Sequence, residues 1–230
     1  MTTQFIPRIA LLLFFASILH AQKPETVLNS PEGWNSEQIS FPLSFAPDIG
    51  FTGFEDIRFA PGWPDKESEA FWAYHFVWYI DQNDPMTEAS LTKIMEAYYD
   101  GLMLSVSKSE EHPEGNLPEK TMSLFIKTEN GFTGKVRVFD AFFSKKTILL
   151  NFKVKEFFCD KTQKQVVAFD ISQQPFGHSV WKEFDAVQLM QNVNKSTRHI
   201  FFGWGTLSQS FPNSLCYLLQ KSYFWAKFLC

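Results

Sequence analysis

Glu69–Ile80 reads EAFWAYHFVWYI, and the fold turns on it. With a period of two, Trp72, Tyr74, Phe76, Trp78 and Ile80 share one face. Glu69, Phe71, Ala73, His75, Val77 and Tyr79 share the other. A strand apolar on both faces belongs in the middle of a sheet that is covered on both sides.

Upstream, Gln38–Leu43 and Phe54–Phe59 are short strand candidates, and Pro61-Gly62-Trp63-Pro64 is turn chemistry. Downstream, Asp84-Pro85 breaks the strand and a helix is expected over Met86–Val106. Thr87 is its N-cap and Glu88 lies in its first turn, while Leu91, Ile94, Met95, Tyr98 and Leu102 form an apolar stripe. Ser109–Glu119 is a charged loop rich in turn residues.

A meander follows. Thr121–Lys127 alternates, with Met122, Leu124 and Ile126 on one face, and Glu129-Asn130-Gly131 supplies a hairpin turn. Gly134–Phe143 places Val136 and Val138 together, and Thr147–Phe158 alternates as a half-buried strand. Val167, Phe169 and Ile171 mark the next strand. Ser179 then caps a short helix over Val180–Gln191, with Trp181, Phe184 and Val187 inward. Sequential strands with few helices indicate an α+β fold: an antiparallel sheet, in part a meander, packed against one long and one short helix.

The ends of the chain carry different signals. Residues 1–21 have one positive charge, an apolar run at Ile9–Leu19 and a small residue at Ala21, the layout of a secretory signal peptide. The run is too short to span a membrane, which takes about 20 residues. Export to the periplasm or the extracellular space is therefore expected, with no transmembrane anchor. Residues 22–193 are expected to form one α+β domain. All 25 acidic residues lie at or before Asp185, so the tail at 194–230 is basic and rich in aromatics. It reads as a docked C-terminal element, a membrane-contacting tail, or a shifted reading frame.

Composition excludes several partners. The net charge of −4 gives no electrostatic case for nucleic acid. Cys159, Cys216 and Cys230 have no metal-ligand spacing, so no metal and no cofactor is expected. With 26 Phe among its residues, the chain has ample material for an aromatic core. No nucleophile elbow, zinc-protease helix, phosphate loop or dinucleotide fingerprint occurs.

The densest polar cluster is Gly53–Trp63. Glu55 and Asp56 are adjacent, so a strand points them to opposite faces and they are no catalytic pair. Asp56 and Arg58 share a face and read as an ion pair. Arg58 is also a candidate clamp for a carboxylate or phosphate, and Trp63 a candidate ligand contact. His75 reads as a buried, hydrogen-bonded imidazole, or as a general base. Asp140 continues the apolar face of Val136 and Val138; it reads as the solvated end of its strand, or, if buried, as a functional acid. His178 precedes the second helix, as a loop side chain or as the third member of a site with His75 and Asp140.

FEDIRFAPGW at 54–63, FWAYHFVWYI at 71–80, AYYDGL at 97–102 and QPFGHSVW at 174–181 resemble a group of exported bacterial proteins of unassigned function. The resemblance spans residues 35–190 and implies no activity, cofactor or catalytic residue. The expectation is a non-catalytic module that binds a small ligand or an envelope protein. The alternatives are a hydrolase built from scattered His, Asp and Arg residues and a structural envelope protein.

Overall fold

The structure is a computed structural model that describes residues 26–108, 117–190 and 193. The expected export segment and the acid-free tail lie outside the described residues. The fold is α+β, as expected. Seven antiparallel strands form the main sheet: β2 (Asn35–Ser40), β3 (Gly53–Phe59), β4 (Tyr74–Ile80), β5 (Met122–Thr128), β6 (Gly131–Phe139), β7 (Thr147–Cys159) and β8 (Lys164–Ser172). Their order is β2-β3-β4-β8-β7-β6-β5. The long helix α1 (Glu88–Ser107) connects β4 to β5 across one face. A short helix α2 (Val180–Glu183), a 3-10 turn (Phe184–Ala186) and a two-stranded pair, β1 (Leu28–Asn29) with β9 (Gln188–Leu189), complete the described chain.

β4 is central, between β3 and β8, and all seven of its residues are buried. Its inner side chains, Tyr74, Phe76, Trp78 and Ile80, join the core under α1. There they meet Leu91, Met95, Tyr98, Tyr99 and Met103 of the helix. Its outer side chains, Val77 and Tyr79, pack against Val27, Leu28, Val187 and Val193. Double-faced burial is thus realised by two different covers.

Several boundaries differ from the periodicity. The first four residues of the aromatic stretch form turns and the strand starts only at Tyr74, because Trp72 takes a left-handed backbone at φ 58° and donates its N–H to the Trp63 carbonyl at 3.1 Å. The second helix stops at Ala186 instead of Gln191, because the chain turns extended at Val187 and Leu189 pairs with Leu28. Thr87 does cap α1, accepting from the Ser90 N–H at 3.0 Å, with the Ser90 hydroxyl returning the contact at the Thr87 N–H.

β5 is an edge strand, and α1 closes that edge. Glu88, Glu96 and Asp100 lie at multiples of four residues along one side of the helix. Glu88 accepts from the Lys127 N–H at 2.7 Å, Glu96 from the Ser123 N–H at 3.0 Å, and Asp100 from the Thr121 N–H at 2.7 Å. Backbone donors that would otherwise template another strand are taken by carboxylates.

Candidate functional site

Arg58 and Asp56 form the buried ion pair on the outer face of β3. Both are spent on holding the N-terminal segment. Asp56 accepts from the N–H groups of Val27 and Leu28 at 2.9 and 3.1 Å, and Arg58 donates to the Leu28 carbonyl at 2.6 Å. The guanidinium clamps a strand of its own chain. Glu55 points the other way, into the core, accepting from Trp78 Nε1 at 2.6 Å and from the Tyr98 hydroxyl at 2.9 Å. Burial raises its carboxyl to about 7, partly offset by those two donors and reinforced by Glu37. Burial likewise raises the hydroxyls of Tyr98, Tyr99 and Tyr74, the last two hydrogen-bonded to each other.

Trp63 is half-buried among Phe59, Trp72, Phe142 and Phe143, with ring centroids 4.4–6.4 Å away. Its surroundings are core-like packing. Its indole N–H and that of Trp72 have no protein partner.

His75 is buried, and its Nδ1 lies 2.7 Å from Asp170 Oδ1 on the neighbouring strand. Asp140 is where the sequence places the end of β6, but it is fully buried rather than solvated. Its carboxylate accepts from the N–H groups of Phe142 and Phe143 at 3.0 Å and of Ser144 at 2.7 Å, which folds the 140–146 turn around it. His178 Nδ1 accepts from the Val180 N–H at 3.3 Å, and its Nε2 lies 3.8 Å from Glu69. Register separates His75 from Asp140. His75 stands in one row with Asp170, Lys153 and Thr133, and Asp140 is seven residues beyond Thr133. At ~3.3 Å per residue that is roughly 20 Å along the sheet. Among the described residues no group of three or more His, Cys, Asp or Glu could hold a metal ion.

An open groove of about 480 Å³ lies between the 48–51 loop and α1, lined by Ile49, Phe51, Ile94 and Ala97 with Asp48 and Lys93 at its sides.

The feature least readable in the sequence is on the outer face of the sheet. Met122, Leu124 and Ile126 do share a face, but it turns away from α1; the core side of β5 is supplied by Phe125. They are 61%, 67% and 56% exposed, beside Leu149 at 45% and Phe176 at 38%. Cross-strand rows bring them together: Met122–Arg137–Leu149, Leu124–Lys135–Asn151 and Ile126–Thr133–Lys153. Asn151 Nδ2 donates to the carbonyls of Gln173 and Gln174 at 3.2 and 3.1 Å, and this seats the Phe176 loop at the margin. Lys153 Nζ lies 5.8 Å from the Phe176 ring centroid and 4.6 Å from that of Trp181. The large exposed apolar side chains of the described residues are therefore gathered on one surface.

Compared with models of protein families, with curated proteins and with solved structures, the chain shows no match.

Proposed function

We propose that the chain is an exported, non-catalytic binding module that docks a partner on the uncovered part of its outer sheet face, formed by side chains of β5 and β6 with Leu149 of β7. The observation that carries this reading is the convergence of Met122, Leu124, Ile126, Leu149 and Phe176 on one surface, each exposed by more than a third. Large apolar side chains exposed together on one face and rimmed by polar residues mark an interaction surface. The export signal read at residues 1–21 supports a location of that surface in the cell envelope or beyond. The hydrolase alternative requires His75, Asp140 and His178 in one site, and the separation of the first two argues against it.

The test is the size of the protein released gently from its own cells. The parent chain is expected in a particle much larger than its 26.6 kDa mass. The double variant Leu124→Glu with Ile126→Glu is expected as a free chain. If both run as free chains, the reading fails.

A further inference from the structure

We infer that the partner of this surface is a lipid bilayer bearing anionic headgroups; the inference rests on the docking reading above. Charge supplies the first argument. Lys135, Arg137, Lys153 and Lys155 all project on the outer face beside the apolar residues. Arg137 is paired with Glu119, and Lys153 stands in register with Asp170, whose carboxylate also meets His75; Asp56, further across the face, is paired with Arg58. Lys135 is flanked in register by Leu124 and Asn151, and Lys155 by Ala168, with no acid opposite either one. A chain of net charge −4 has thus set two cations with no acid opposite them, Lys135 and Lys155, beside exposed Met, Leu, Ile and Phe side chains. Apolar side chains entering the acyl boundary, with lysines reaching the headgroups, is the chemistry of an anionic interface.

Shape supplies the second argument. The surface is the pleated face of three paired strands, not a groove. The β5 edge next to it has its Ser123 and Lys127 N–H groups bonded to Glu96 and Glu88, which takes two of the donors an added strand would need. What docks must do so through side chains on a broad face, as a bilayer does. The sequence gives no sign of this site, because its cations lie on different strands and form no polybasic run.

The experiment is co-sedimentation of the full chain with vesicles of phosphatidylcholine and phosphatidylglycerol in equal parts, and with phosphatidylcholine alone. Binding to the anionic vesicles is expected to exceed that to the neutral ones at least tenfold and to fall with added salt. Lys135→Glu with Lys155→Glu is expected to lose at least tenfold of the anionic binding, and Leu124→Asp a similar amount. All variants should melt like the parent, since the altered side chains are exposed. The full chain carries its own ends in every sample, so any contribution from them cancels between variants. Equal binding to both vesicle types, or variants that sediment like the parent, overturns the lipid assignment. Absent vesicle binding together with a large particle from cells overturns the lipid partner and leaves the docking surface standing. Absent vesicle binding with a free chain from cells overturns both.

Discussion

The outer face of one sheet has two halves with opposite fates. Over β3, β4 and β8, Val77, Tyr79 and Val166 are sealed beneath β1, β9 and Val193. Over β5, β6 and the start of β7, Met122, Leu124, Ile126 and Leu149 stand uncovered with Lys135 and Arg137 between them, whereas Asn151 and Cys159 further along β7 are buried. The covered half is pinned by charge turned inward, since Asp56 and Arg58 bind the backbone of Val27 and Leu28. The uncovered half keeps its charge turned outward. Apolar side chains on this face are therefore not in themselves a core; what decides is whether the chain returns to cover them.

Breaking the covered half should cost most. Asp56→Ala strips β1 of its acceptor and leaves Arg58 buried without its carboxylate, a loss of about 3–5 kcal/mol. Chemical denaturation should read it as a lower midpoint, with early loss of protection at Val27 and Leu28. A stability near that of the parent would mean that the clamp is ornamental. On the inner side of the uncovered half, a Cβ at Gly134 would sit 2.3 Å from a Phe125 ring carbon and 2.9 Å from the Leu124 carbonyl oxygen. Gly134→Ala is therefore expected to displace Phe125 at a cost of about 1–3 kcal/mol, again read by denaturation.

A third change isolates the inner core from both halves. Glu55 has its carboxyl raised from 4.5 to about 7 by burial. The folded state then holds this proton more tightly than the unfolded one. The resulting stabilisation is complete below about 4.5 and is lost as pH rises to about 7, a change of about 3 kcal/mol. Glu55→Gln should remove that dependence, so the melting temperatures of parent and variant should diverge in the variant's favour between these limits. Parallel melting curves across the range would count against a raised carboxyl. The smallest effect belongs to the uncovered surface itself. Leu124→Ser should change stability by no more than about 0.5 kcal/mol while improving solubility. A large fall in melting temperature would show that Leu124 is part of a core.

The sequence revealed the elements that bury themselves locally. β4 was legible because it is apolar on both faces, and α1 because Leu91, Met95 and Tyr98 repeat at helical spacing. The direction in which β5 faces was not. Met122, Leu124 and Ile126 outnumber Phe125 in the pattern, yet the single ring goes inward because Gly134 on the next strand leaves room for it. Pairing carries that information, and periodicity does not. The same holds for His75 and Asp170, which meet across 95 residues of sequence, and for Asp140, whose partners are backbone N–H groups of its own turn. The docking surface draws on three strands and a loop, so no local window contains it.

The two halves each carry a methionine that reports on them. Met122 is exposed on the uncovered half, and Met190, half-buried, has its backbone N–H bonded to the Val27 carbonyl at 2.8 Å on the covered half. The most direct measurement compares oxidation of these two side chains by hydroxyl radicals in the purified protein and in intact envelope from the producing cells. Met122 is expected to oxidise faster than Met190 when purified, then to slow several-fold in the envelope while Met190 stays the same. Met122 oxidising equally fast in both settings would contradict it.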